Sequence, residues 1–142
     1  MLSKSCEYAL RAVVYIAAET QGKEKKVGIR EVAQTLDIPA PFLAKILQSL
    51  AKNKILGSTK GPNGGFFLNK STKKTTLLDV IEAVDGLEYF RRCSIGLKKC
   101  SDIKPCPIHP LIKVQREELK QYFSKKTMEQ VIEDLKEHRA FI

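Results

Sequence analysis

The stretch Gly61-Pro62-Asn63-Gly64-Gly65 restricts this chain more than any other segment. Its proline fixes a backbone dihedral, and its Asn and glycines reach positive φ. The segments on either side, Ile55 to Lys60 and Phe66 to Asn69, are β-compatible. The combination predicts a hairpin with a tight tip. Almost everything around the hairpin reads as helix. Cys6, Ala9, Leu10, Val13, Val14 and Ala17 recur at the i, i+3, i+4, i+7 spacing of a helix with one buried face, and Gly22 ends the polar stretch that follows. Ile29, Val32, Ala33 and Leu36 repeat the pattern in a short second helix. Asp37-Ile38-Pro39 breaks it, because proline lacks the amide hydrogen and disfavours helical geometry in the residue before it. Leu43, Ile46, Leu47 and Leu50 build a third helix, with Pro39 or Pro41 tolerated in its first turn.

Downstream, Thr76-Leu77-Leu78-Asp79 reads as a capping box that opens a fourth helix through Val84, closed by Gly86. Pro110 starts a fifth helix carrying Leu111, Ile112, Leu119, Tyr122 and Phe123, and a second capping box, Thr127 to Gln130, opens a sixth. Two short helices with a tight break, then a hairpin, is the order of a winged helix-turn-helix. The expected fold is therefore mainly α with a small β-hairpin. Residues 1–86 form the winged helix-turn-helix domain, residues 87–109 a cysteine-containing loop, and residues 110–142 a long helix and a C-terminal helix.

Charge points to a polyanion. The 142 residues carry a net charge of +9, with 11 basic and 5 acidic side chains in residues 1–70 and 14 against 11 in residues 71–142. The third helix has the size to lie in a major groove, and its outward positions include Pro41, Lys45, Gln48 and Lys52. Lys45 suits guanine or phosphate and Gln48 suits adenine. Lys54 and Lys60 flank the hairpin where phosphates would pass. At the tip, Gly61, Gly64 and Gly65 allow close approach of the backbone, and Asn63 adds a short polar contact. The competing reading is a protein-interaction module whose lysines form only a solvated face. No glycine-rich nucleotide loop follows a strand and no nucleophile–base arrangement is visible, so an enzyme is not expected. The longest apolar run, Ala12 to Ala18, is far too short to cross a membrane, and no signal-peptide pattern accompanies it. A cytoplasmic location follows, with reduced thiols rather than structural disulfides.

Three of the four cysteines fall in the segment without a helical period. Cys93, Cys100 and Cys106 are spaced C-x6-C-x5-C, and His109 follows three residues later. Structural zinc sites use closer pairs, whereas gaps of five and six residues suit an iron–sulfur cluster held from several sides. Lys98 and Lys99 would offset the negative charge of such a cluster. A set of free thiols, or a cluster-free thiol redox switch, is the alternative. Cys6, on the apolar face of the first helix, reads as a small core residue.

Taken together, Glu7-Tyr8-Ala9-Leu10-Arg11, Gly61-Pro62-Asn63-Gly64-Gly65-Phe66, Asp79 to Gly86 and the three-cysteine loop resemble the Rrf-two family of bacterial winged-helix regulators over nearly the whole chain. The resemblance implies a homodimeric DNA-binding regulator, read as a repressor, that binds a pseudo-palindromic operator and dimerises through the long helix from Pro110. It implies that Cys93, Cys100 and Cys106 are the thiolates of a two-iron or four-iron cluster responding to nitric oxide, redox state or iron–sulfur status. It leaves two fourth ligands open, Glu7 from the partner chain or His109. Ala44 stands where some members carry an acidic base-reading residue, and Lys60 replaces an arginine common at the start of the wing, keeping charge but losing the bidentate fork.

Overall fold

A computed structural model of the chain describes residues 2–139 and 142. Helix α1 runs Lys4–Thr20 and starts at Ser3, whose hydroxyl accepts from the Cys6 amide at 3.1 Å. Its apolar stripe, Ala9, Ala12, Val13, Ile16 and Ala17, is buried at the centre of the molecule. Helix α2, Ile29–Leu36, is short because Asp37 turns into the left-handed region with φ 52°. Helix α3, Ala40–Lys52, then begins after Pro39 with Pro41 in its first turn. Arg11 fixes the α2–α3 corner by donating from Nη2 to the Leu36 carbonyl at 2.6 Å.

The hairpin is present, and its strands are shorter than the β-compatible segments. Strands β1, Gly57–Thr59, and β2, Gly65–Phe67, pair antiparallel with Ser58 opposite Phe66. Ile55, Leu56 and Leu68 are drawn into the core instead, which ends the ladder on both sides. Val27 adds a third, single-residue rung: its amide and carbonyl each bond Phe66 at 2.9 Å. The wing is thereby attached to the segment preceding α2.

Helix α4, Leu77–Asp85, opens on the expected capping box, with the Thr76 hydroxyl accepting from the Asp79 amide and the Asp79 carboxylate accepting from the Thr76 amide. It closes at Gly86, which adopts φ 71°. A short 3-10 turn, Glu88–Phe90, the second after Lys70–Thr72, precedes a segment from 91 to 108 with no helix or strand. Helix α5, His109–Lys125, equals α1 in length and starts one residue before the expected Pro110, taking His109 out of the cysteine loop, and α6, Met128–Lys136, starts on the second capping box. Leu77 N–H donates to the Lys126 carbonyl at 3.0 Å and Met128 N–H to the Thr75 carbonyl at 2.8 Å. These bonds bring α6 back onto α1, where Met128 and Ile132 enter the main core.

A second, smaller core lies at the base of the cysteine segment. Cys6, Ile81 and Phe90 are buried together, with Leu87 and Phe123 packed against them. Phe90 and Phe123 meet edge to face at 6.4 Å between ring centroids. Among the described residues, no helix is long and apolar enough to cross a membrane.

Candidate nucleic-acid interface and cysteine site

Leu43, Ile46, Leu47 and Leu50 bury one face of α3, so its opposite face must point outward. That face carries Pro41, Lys45, Gln48 and Lys52, all four exposed. Between α3, the wing and the start of α2 lies a cleft of about 1050 Å³. Gln48, Lys52, Lys60, Gly61, Gly64 and Gly65 line it. Lys54 and Asn63 are exposed outside the cleft lining, Lys54 with φ 60° at the end of α3. Arg30, Ser58 and Thr59 also line the cleft and were not singled out from the sequence. Gly28 is the residue that could have pointed to Arg30. It stands at the N-cap of α2 and offers no side-chain cap, leaving the first amides of the helix open.

The wing glycines have a packing role of their own. A Cβ on Gly64 would lie 2.3 Å from the Thr59 carbonyl oxygen, and one on Gly65 would lie 2.8 Å from that of Val27. Both neighbours are backbone atoms and cannot swing away. The hairpin needs these two positions bare before any nucleic acid approaches.

Cys93, Cys100 and Cys106 are half-buried free thiols. The structure sorts them into two groups around Arg116. Cys100 Sγ lies 3.2 Å from His109 Nδ1 and accepts from Arg116 Nη2 at 3.2 Å. His109 is the first residue of α5 and only 7% exposed. Its Nε2 donates to Asp102 Oδ1 at 2.9 Å, and Lys113 Nζ holds both Asp102 oxygens at 2.9 Å. The carboxylate thus braces the Nε2 side of the ring and leaves Nδ1 facing Cys100. Hydrogen bonding from Lys113 and then from His109 holds the Asp102 carboxyl below its usual range. Cys93 keeps company with Cys106. Hydrogen bonds from the Ile95 and Leu97 backbone and from Cys106, together with the Arg116 charge, lower the Cys93 thiol against the opposing effect of burial.

Among the described residues, no three Cys, His, Asp or Glu side chains converge as a metal-binding group. Glu7 is half-exposed on α1 and pairs with Lys4 Nζ at 2.8 Å. The donor set nevertheless fits an iron–sulfur group in its chemistry, with three thiols and an imidazole whose far nitrogen is braced. A further sign is Arg116, whose Nη2 reaches Cys100 Sγ and whose Nε is buried without a hydrogen-bond partner among the described residues. Cys6 is fully buried in the small core beneath this segment, and burial pushes its thiol up to about 12.

Three helices around a short hairpin, with an exposed basic face on the third, define a winged helix-turn-helix regulator. The family model of Rrf2, described as an iron-dependent transcriptional regulator, matches residues 2–134, and the chain belongs to that family. A protein of Aquifex aeolicus named as an HTH-type transcriptional regulator is 31% identical over 140 residues, 97% of this chain and 95% of its own. The transcriptional regulator IscR of Photorhabdus laumondii is 26% identical over 131 residues, covering 92% of this chain and 78% of its own. Two solved structures share the fold. CymR, the global cysteine regulator of B. subtilis, has a TM-score of 0.73 at 20% identity, over 94% of this chain and 96% of that one. IscR of T. potens has a TM-score of 0.73 at 15% identity, over 100% and 93%.

Proposed function

We propose that the chain is a homodimeric repressor that binds a pseudo-palindromic operator in duplex DNA with an affinity set by an iron–sulfur cluster. The observation that carries the DNA reading is that Gln48 and Lys52, on the exposed α3 face that Pro41 and Lys45 extend outside the cleft, line that cleft together with Lys60 and the glycine wing. The helix reads base edges while Lys54, Lys60 and the Gly61 to Gly65 tip, with Asn63, follow the backbone. Cys93, Cys100 and Cys106 hold the cluster, with His109 or the partner chain's first-helix carboxylate, Glu7 in this numbering, in the fourth position. When bound, the cluster supplies an iron centre whose loss or reaction reports nitric oxide, redox state or iron–sulfur supply. The chain's own part is transmission: Phe90 and Phe123 join the cysteine segment to α5 through a core shared with α1 and α4. The family's description as iron-dependent supports this reading.

Titration of duplex DNA at several salt concentrations tests the interface. Lys60→Ala should weaken binding to all sequences alike and flatten the salt dependence, whereas Gln48→Ala should relax sequence preference. Unchanged binding in both variants would rule out this surface. Anaerobic reconstitution with iron and sulfide tests the cofactor, followed by operator binding of loaded and metal-free protein at one salt concentration. Equal affinities would end the sensing proposal. The grouping of the thiols as Cys93 with Cys106 and Cys100 with His109 favours a second reading, a cluster-free thiol redox regulator. Reconstituted protein that holds neither iron nor sulfide would select it.

A further inference from the structure

We infer that Arg116 is a positioning residue for the iron–sulfur group, giving hydrogen bonds and a half-buried positive charge to its sulfur atoms from helix α5. The inference rests on the cluster reading above. Arg116 stands two turns into α5 and reaches across to the cysteine segment. Its Nη1 donates to the Arg92 carbonyl, next to Cys93, and its Nη2 donates to Cys100 Sγ at 3.2 Å. Its Nε is buried and has no partner among the described residues. A guanidinium has a fixed fork of donors, so one arm cannot be turned away while the other two stay anchored. The unmet N–H is thus held in place between an arm on Cys100 and an arm on the residue before Cys93, at a spot where water does not reach it. Sulfur acceptors of a thiolate-ligated cluster are the partners this donor lacks.

Charge leads to the same residue. A cluster held by three thiolates brings net negative charge into a half-buried loop and needs a cation nearby. Lys98 and Lys99, the obvious candidates in the sequence, are both exposed to solvent. Lys113 is engaged with Asp102. Arg116 alone among these cations touches a cysteine sulfur. Because it is rooted in the long helix rather than in the loop, it couples occupancy of the cysteine site directly to α5.

The test uses the full-length protein reconstituted anaerobically with ferrous iron and sulfide, as wild type, Arg116→Gln and Arg116→Lys. Iron and sulfide per chain, midpoint potential, and the rate at which visible absorbance fades in air are measured. Hydrogen bonds and positive charge at sulfur raise a cluster's potential. Arg116→Gln should load iron and sulfide yet show a more negative potential and fade several-fold faster. Arg116→Lys, which keeps the charge without the fork, should fall between the two. Circular dichroism of the metal-free proteins checks folding. Should Arg116→Gln fail it, Arg116→Lys decides alone, and a potential equal to wild type overturns the inference. Variants that load and match wild type in potential and fading rate overturn it as well. Wild type that takes up no iron or sulfide would instead fail the cluster reading, and this inference with it.

Discussion

Gly64 and Gly65 look in the sequence like concessions to a ligand, and the structure gives them a prior duty. The atoms that exclude a side chain there are the carbonyl oxygens of Thr59 and Val27. The second lies outside the hairpin altogether, so periodicity and turn chemistry could not reveal it. Gly64→Ala should therefore destabilise the free protein by about 1–3 kcal/mol, the cost of forcing backbone apart. Chemical denaturation without DNA measures it. A loss of DNA affinity with unchanged stability would show instead that the glycine serves only the complex. Thr20 is a comparable case, a polar residue at the end of an apolar helix. It is 2% exposed, donates from Oγ1 to the Ile16 carbonyl at 2.7 Å and accepts from the Leu68 amide at 2.9 Å. Thr20→Val keeps the shape but leaves the Leu68 N–H buried without an acceptor. The expected loss is about 1–3 kcal/mol in the same denaturation experiment.

At the level of elements, the helices were legible because their causes are local. Both capping boxes formed as written in Thr76–Asp79 and Thr127–Gln130, and Asp37 before Ile38-Pro39 ended α2. The wing strands came out shorter, because Ile55, Leu56 and Leu68 have somewhere better to go than a two-stranded ladder. The cysteine segment shows the other limit. Its spacing advertised thiol chemistry, but neither Asp102 behind His109 nor Arg116 beside Cys100 could be paired without the fold. The α5–α6 corner was equally hidden. Asp134 there accepts from Lys126 Nζ and, at 2.8 Å, from Arg139 Nη2. The Lys126 hydrogen bond, followed by that of Arg139, lowers the Asp134 carboxyl below its ordinary value of 3.8. A depressed folded value stabilises the native state above the unfolded value and ceases to do so as pH falls through the folded one. Asp134→Asn should thus lower the melting temperature at neutral pH, and the difference from wild type should vanish in strongly acidic solution. A difference unchanged between neutral and strongly acidic solution would mean that the corner is held by packing rather than by this carboxylate.

For the whole molecule, the basic surface and the long helix belong to one argument. Residues 1–70 carry two-thirds of the charge excess, part of it on the α3 face and wing, yet one such unit spans only one half of a pseudo-palindrome. Helix α5 supplies the means to pair two units. It turns Phe123 inward onto Phe90 but leaves Leu111 and Tyr122 about as open as residues in a flexible chain, at 70% and 69% exposure. Val114 and Leu119 extend the same unfilled apolar surface. The proposed homodimer covers it. Leu111→Asp with Tyr122→Asp removes that surface and touches nothing in the protomer's core, so monomer stability should change by no more than about 0.5 kcal/mol per site. Sedimentation should show the mass halved at micromolar concentration. Operator affinity should fall on the order of 100-fold, because the second half-site would no longer be reached from a linked partner. Duplexes carrying one half-site separate this effect from damage to the reading surface, since the double variant should bind them as well as wild type does. A variant that stays dimeric and keeps its full operator affinity would place the dimer contact elsewhere on the molecule.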